Sequence, residues 1–430
     1  MTAASTTDPP SARTARLRPR ARLAVAAGRS VAWASRLVRF GTGSVIGGRV
    51  ALAIDSNLLS ELTADRDVVI VSATNGKTTT TKLLASALSA DRPVVSNWLG
   101  ANMTPGIVAA LAATPATDTA VLEVDERWVA PVLRATEAGT VLLLNLSRDQ
   151  LDRTQEVRKL AEQWREALSA TPPRTVLANA DDPLVTWAAL AAPSVVWVAT
   201  GQDWTADAAG CPSCSGRIDF TDSDWACMNC DLRRQSIDVS VDASAISIDG
   251  YSFANSLALP GRVNRVNAAF ALAAASSMGA DLERAFDALD DVQEVAGRYR
   301  VTELDSTKIR LLLAKNPAGW HEALELLQGP STPLVVAINA RIADGHDPSW
   351  LWDVDYERVG KRLVVAIGER RHDLAVRFRY GNIDHVIAPD LEHALAIVRS
   401  SPTYDPTSPV DIASNYTAFQ DHLERVGGVL

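Results

Sequence analysis

Residues 68–82 read VVIVSATNGKTTTTK, and the fold turns on how that stretch divides. Val68 to Val71 form an apolar run suited to one buried strand, Asn75 and Gly76 supply a turn, and Thr78 to Leu88 carry an amphipathic helical pattern. Strand, glycine turn and helix in that order make a phosphate cradle. Gly76 lets main-chain N–H groups close on phosphate oxygens at a positive helix end, Lys77 aims an ammonium at the β- and γ-phosphates, and the Thr78 hydroxyl is placed to ligate Mg²⁺. The usual loop has another glycine five residues before Gly76, where this chain has Val71. The cradle is therefore a shortened form, ATNGKTT, with Thr74, Asn75, Gly76, Lys77, Thr78 and Thr79 as its nucleotide-binding residues.

Around it, short apolar runs alternate with helical stretches from about residue 55 to 300, as in TAVLEVD (119–125), Val129 to Ala138 and TVLLLNL (140–146). That rhythm implies a parallel sheet covered by helices. A second series, PLVVAIN (333–339), RLVVAIG (362–368), HVIAP (385–389) and PVDIAS (409–414), implies a further α/β unit of Rossmann type, with a soft boundary near Arg298 to Arg300. The expected division is 1–50, a basic tail and helix; 51–298, the ATP-binding unit; and 299–430, the second α/β unit.

At 430 residues, 47% apolar and 22% charged, the chain has the composition of a soluble globular protein. No apolar run reaches the roughly 18 residues of a membrane span. Residues 1–50 hold nine arginines against one aspartate, a charge of +8 that leaves −17 on the other 380 residues. That start lacks a continuous apolar segment followed by a cleavage site, so a cytoplasmic protein is expected. Residues 1–20 read as disordered, and Ala21 to Phe40 set Leu23, Val25, Val31, Ala32, Ser35, Leu37 and Val38 among arginines. Peripheral contact with anionic lipid at the inner face of the membrane is one expectation for this stretch. A solvated tail leading into an ordinary packing helix is the simpler one.

All four cysteines interrupt the α/β rhythm, as CPSC (211–214) and CMNC (227–230) within an insertion at about 205–235. Two C-x-x-C pairs at this spacing place Cys211, Cys214, Cys227 and Cys230 around one tetrahedral Zn²⁺, closed and therefore structural. Asp219, Asp222 and Asp224 make the surrounding surface acidic, which argues against nucleic acid as a partner. With these thiols held by metal, none remains as a nucleophile. All six histidines lie after residue 320, so carboxylates, amides, hydroxyls or lysine must serve the first sheet. Glu123 ends a strand-like run beside Asp125 and Glu126 and suits a Mg²⁺ ligand. Asp149, Gln150 and Asp152 form another polar cluster, and NADDP (179–183) brings Asn179 to a third strand end. Asn264 and Asn267 sit at a helix start, where their amides either contact a nucleoside or cap the helix.

In this order the segments resemble the Mur ligases, ATP-dependent enzymes that attach amino acids to peptidoglycan precursors. ATNGKTT is similar to their P-loop, LEVDE to their Mg²⁺-glutamate segment, NLSRDQLDR to their N-x-x-x-D-H-L-D segment, NADDP to their adenine-side motif and GRVNRVNAA to their G-x-H-N-x-x-N-A-A motif. Gln150 and Val263 stand where histidines are usual, and no lysine stands out as a carbamoylated one. Those departures, the cysteine insertion, LAKNPAGW (313–320) and ADGHDPSWLWDVDYE (343–357) resemble the MurT family, over roughly residues 50 to 420. The resemblance implies a subunit that works with a separate glutaminase of GatD type. Such a subunit is expected to activate the α-carboxylate of D-isoglutamate in the lipid II stem peptide with ATP and to amidate it with ammonia from glutamine. It also implies that Asp347 completes the partner's Cys-His pair, although Asp344, Asp353, Asp355 and Glu357 lie within ten residues and spacing does not choose among them. Trp350 and Trp352 read either as interface anchors or as part of a helix that these acids cap. Lys315 and Asn316 are expected to face the acyl phosphate. The competing expectation is a stand-alone amino-acid ligase of Mur or folylpolyglutamate type.

Overall fold

The computed structural model describes residues 17–37, 44–97, 101–114, 117–148, 157–254, 257–292, 299–327, 329 and 332–427. The expected boundary at Arg298 and the cluster of Asp149, Gln150 and Asp152 lie outside them. The first sheet contains β1 (Asp67–Ser72), β2 (Val94–Ser96), β3 (Thr119–Glu123), β4 (Thr140–Leu143), β5 (Thr175–Asn179) and β6 (Val195–Val198). Its order is β2-β3-β1-β4-β5-β6 and every pairing is parallel. Such a sheet needs apolar residues on both faces. Val68 and Ile70 enter the core on one side, Val69 and Val71 that on the other.

Three N-terminal helices, α1 (Pro19–Leu37), α2 (Ser44–Ile54) and α3 (Leu58–Thr63), precede β1. Layered on the sheet are α4 (Lys77–Ser89), α5 (Thr104–Ala113), α6 (Val129–Thr136), α7 (Val157–Ala170), α8 (Pro183–Ala189), α9 (Arg262–Ser277) and α10 (Leu282–Asp287). The helix α1 begins before residue 20: Leu17 is buried, Arg18 pairs with Glu61, and the Arg20 guanidinium donates to the Ile54 carbonyl. The disorder expected for residues 1–20 therefore does not hold for this end of the stretch. Nor do Leu23 and Leu37 pack inward. The buried face of α1 is made of Ala21, Ala24, Val25, Gly28 and Ser35, because α1 and α2 touch backbone to backbone at Gly28 and Gly47. A Cβ on Gly28 would sit 2.7 Å from the Gly47 carbonyl oxygen, so only small residues fit the crossing.

The cysteine insertion carries a hairpin of β7 (Ile218–Phe220) and β8 (Trp225–Cys227), followed by an antiparallel sheet of β9 (Ser240–Val241), β10 (Ala245–Ile248) and β11 (Tyr251–Ala254). The second large sheet, ordered β12-β13-β17-β14-β15-β16, is built from β12 (Tyr299–Leu304), β13 (Thr307–Leu313), β14 (Leu334–Ala337), β15 (Val364–Ile367), β16 (His385–Ile387) and β17 (Val410–Ser414). It is parallel except for the β12–β13 hairpin, and α11 (Pro317–Glu325), α12 (Arg371–Tyr380), α13 (Leu391–Arg399) and α14 (Tyr416–Arg425) cover it. The four strands named from sequence are β14 to β17. The hairpin was not expected, since its polar turn uses Asp305 and Ser306 at φ 46° and 61° where glycine or asparagine is the usual signal.

Candidate active site

The strand order reverses at β1, and ligands of open parallel sheets bind beyond the carboxyl ends at such a point. Gly76 turns the chain there at φ 85° and heads α4. A side chain is excluded as well as strained at this position, because a Cβ would lie 2.7 Å from Asn267 Oδ1. The loop is held from β4: the Asn75 N–H donates to Asn145 Oδ1 (2.8 Å), Asn145 Nδ2 donates to the Asn75 carbonyl (3.0 Å), and the Ser147 N–H donates to Thr74 Oγ1 (3.0 Å). Asn145 was not singled out from sequence; its place directly after the apolar TVLLL run was the available signal.

Lys77 is buried, with its ammonium folded back on the loop. It donates to the carbonyls of Ala73 and Thr74 and pairs with Glu126 at 2.9 Å. Burial pushes the Glu126 carboxyl up while Lys77 pulls it down, and burial wins. Glu123, the register partner of Val71 in β3, is buried; its Oε1 accepts from Asn102 Nδ2 (3.3 Å) and its Oε2 has no hydrogen-bond partner among the described residues. An orphaned carboxylate oxygen at a phosphate cradle is what a Mg²⁺ ligand looks like without its ion, so the residues present fit that metal. Thr78 and Thr79 lie buried in the first turn of α4.

Two clefts flank Asn75. One, of about 600 Å³, is lined by Asn179, Thr200, Trp204, Arg262, Asn267 and His321 among others. The other, of about 730 Å³, is lined by Gly76, Thr79, Asn264, Asn267, Tyr299 and Lys315 among others. Asn179 donates to Gln202 Oε1 (2.9 Å) and accepts from Thr200 Oγ1 (3.1 Å). Asn264 Nδ2 donates back to the Pro260 carbonyl (2.7 Å) just before α9, and Asn267 Oδ1 accepts from Thr80 Oγ1 (3.1 Å), which ties α9 to α4.

The second sheet closes over this mouth. Asn316 caps α11 by accepting from the Gly319 N–H (2.8 Å), and its Oδ1 also accepts from Asn75 Nδ2 (3.1 Å). Lys315 lies over the Tyr416 ring. At the rim, His321 Nε2 meets Asp203 at 2.8 Å, and Arg262 bridges Asp203 (3.3 Å) and Glu325 (3.2 Å). Partial burial raises the Asp203 pKa, but the His321 hydrogen bond and the neighbouring cations outweigh it and hold the carboxyl below its ordinary range. Trp204 and His321 lie outside the quoted motifs, and Arg262 stands at an unspecified position within GRVNRVNAA, so none of the three was singled out from sequence.

The four cysteine sulfurs lie within 4.8 Å of one another, with Cys211 to Cys230 at 3.7 Å and Cys214 to Cys227 at 3.5 Å. A Zn–S bond of about 2.3 Å in a tetrahedron sets an S···S edge of about 3.8 Å, so the thiols fit zinc. N–H groups of Gly216 and Asn229 point at the Cys214 and Cys227 sulfurs. Trp225 and Arg234 tie the ribbon to NADDP, by Trp225 Nε1 to the Ala180 carbonyl (2.9 Å) and Arg234 to Asp181 (2.6 Å).

Among the five acids at 344–357, the surroundings differ. Asp344 is buried and accepts from Thr417 and Arg341, Asp353 faces Arg148 at 3.4 Å, and Glu357 is paired with Arg377. Asp347 is exposed; its Oδ1 accepts from the Ser349 N–H (2.9 Å), which lowers its pKa. Trp350 is core rather than interface, stacked on Trp320, whereas Trp352 is exposed and packs edge-on against Tyr380.

Comparison with known proteins agrees with this geometry. The Mur ligase middle domain family matches residues 71–275, and the MurT ligase C-terminal family matches 313–419. The chain is similar to the lipid II isoglutaminyl synthase (glutamine-hydrolyzing) subunit MurT of Streptococcus pneumoniae, 30% identical over 80% of this chain and 83% of that one. The protein of the same description in Staphylococcus aureus is 27% identical over 89% and 93%. Among solved structures, a pseudomurein peptide ligase type C from Methanothermus fervidus superposes with a TM-score of 0.67 at 19% identity, covering 86% of this chain and 80% of that chain, which shows a shared fold.

Proposed function

Because this chain belongs to the MurT family of ligase-like subunits, we propose that it is the ATP-using subunit of a lipid II isoglutaminyl synthase. The observation that carries the reading is an exposed carboxylate, Asp347, in the loop between β14 and β15, in a chain whose every cysteine lies in one ribbon. Glutamine hydrolysis needs a thiolate and an oriented histidine. A second chain, a glutaminase of GatD type, would bring both, with Asp347 as the orienting acid.

Residues 51–298 then bind ATP, with the nucleoside in the cleft between Asn179 and His321. Glu123 and Thr78 would hold a Mg²⁺, whose charge would offset that of the phosphates. Lys77 leaves Glu126 and turns to the γ-phosphate as the D-isoglutamate α-carboxylate attacks it. The new O–P bond forms as the bond to the β-phosphate oxygen breaks, and ADP departs. N–H groups of the cradle stabilise the transferring charge. Ammonia adds to the acyl phosphate carbon, gives up a proton and expels inorganic phosphate, leaving the carboxamide. Asn316 and Lys315 border the space in which that intermediate forms. The four thiolates take a structural Zn²⁺, and the chain works in the cytoplasm at the membrane's inner face.

Co-expression with a small glutaminase-like protein tests this reading. A stable complex that converts glutamine and ATP into amidated stem peptide is expected. Peptide-bond formation by this chain alone from ATP and an amino acid would overturn it in favour of a stand-alone ligase.

A further inference from the structure

The N-terminal helix carries a face that no described residue covers. Along α1, Leu23, Ala26, Ser30, Trp33 and Leu37 follow alternating three- and four-residue steps and all are exposed, with Leu23, Trp33 and Leu37 at 63%, 62% and 70%. Arg22, Arg29 and Arg36 recur every seven residues, within about 40° of one another around the helix, beside that stripe. The first turn of α1 has no acid, and the helix sequence PRARLAVAAGRSVAWASRL contains none. A largely apolar stripe, whose one hydroxyl, on Ser30, donates to the Ala26 carbonyl, edged by a line of arginines and bearing a tryptophan, is the pattern of a helix lying in a lipid headgroup layer.

The opposite face explains why α1 does not simply turn this stripe inward. It is committed to α2 through Gly28 and Gly47, which leave no room for larger side chains. The pair is also braced against the reaction centre: a Cβ on Gly48 of α2 would lie 1.9 Å from the Pro105 carbonyl oxygen in α5, and Asn102, just before α5, holds Glu123. Charge supports a lipid occupant. Residues 1–50 carry +8 while the rest of the chain carries −17, so an anionic bilayer would attract this end and repel the remainder.

We propose that α1 docks on an anionic bilayer through Leu23, Trp33 and Leu37 with Arg22, Arg29 and Arg36, holding the cradle beside the membrane. This deepens the reading of a lipid-linked substrate and rests on it for its purpose, while its own test does not require amidation. The full chain is sedimented with vesicles of equimolar phosphatidylglycerol and phosphatidylcholine, and with vesicles of phosphatidylcholine alone. Binding is expected only to the anionic vesicles, and rising salt should release it. Each arginine near such a surface contributes about fivefold, so Arg22→Ser/Arg29→Ser/Arg36→Ser should weaken binding on the order of 100-fold. Trp33→Ser/Leu37→Ser should weaken it about tenfold or more through lost apolar burial.

Unchanged thermal unfolding shows that the variants fold. Amidation of a lipid-free stem peptide by the complex, if present in the wild type, should be unchanged in both variants. Its absence in the wild type would count against the proposed function and leave the vesicle result standing. Wild-type protein that stays in the supernatant, or variants that sediment like wild type, would overturn the proposal. So would a dimer, or a nucleic-acid mobility shift, that depends on these residues without vesicle binding.

Discussion

Lys77 and Glu126 face each other as a buried pair, and that changes what removing the lysine does. Lys77→Ala should lower ATP hydrolysis and amidation by on the order of 100-fold or more, because a charge aimed at the phosphates is lost. It should also cost about 2 kcal/mol of stability by stranding Glu126 in a desolvated place. Adding Glu126→Gln should restore the stability and leave the activity low; denaturant unfolding beside an ATPase assay separates the two. Asp347 makes the complementary case. Asp347→Asn should suppress glutamine-dependent amidation and recover with high free ammonia, as its carboxylate is remote from the cradle's own contacts and one oxygen is already spent on Ser349. Failure with both nitrogen sources would place Asp347 in the acyl-phosphate site or the fold. At this scale the sequence was legible where a motif fixes one residue, as for Gly76 and Lys77. It was not where several acids crowd together, since Asp344 and Asp347 differ only in which one turns inward, and that is set by packing against Thr417.

The ribbon and the closing helix are the elements with the sharpest consequences. Trp225 and Arg234 bind the ribbon to the NADDP loop that frames the Asn179 cleft. Zinc is expected at one ion per chain, and Cys211→Ser should lower stability, raising KM for ATP more than it lowers kcat in the folded fraction; metal analysis and steady-state kinetics check this. In α14, His422 is buried, with neither ring nitrogen hydrogen-bonded among the described residues. Burial first, and Arg425 second, lower its pKa to about 4 from the ordinary 6.5, against the opposite pull of Asp421 and Glu392. The unfolded chain therefore binds the extra proton first, and stability is lost as pH falls from 6.5 to 4, by up to about 3 kcal/mol. The stability of His422→Leu should vary less with pH across that window, measured as the difference from wild type by urea unfolding. Elements announced themselves in the sequence when apolar period and breaker residues agreed, as in β1 and β14. They did not in β12–β13, a polar hairpin turning through non-glycine residues, or in α1, whose buried face is alanine and glycine because the partner helix approaches so closely.

Across the whole molecule, the two sheets meet at the cradle through Asn75 with Asn316 and at its rim through Asp203, Arg262, His321 and Glu325. His321→Ala should loosen this closure and raise KM for ATP about tenfold with little change in thermal stability, since a partly exposed ion pair contributes roughly 1 kcal/mol. Equal loss of kcat and kcat/KM would instead put His321 in the chemical step. Of this closure the sequence suggested only that Lys315 and Asn316 face the reaction centre; the contacts themselves were not readable, because neither periodicity nor spacing tells which side chains of two units touch. Asn75 and Asn316 are 241 residues apart. A ribosome adding about 5–20 residues per second extends one tens of seconds before the other exists. Through that interval the Asn75 side chain lacks the Asn316 oxygen that it meets in the finished fold. The finished site is thus delivered by translation in a fixed order, with the nucleotide-binding loop first and its cover last.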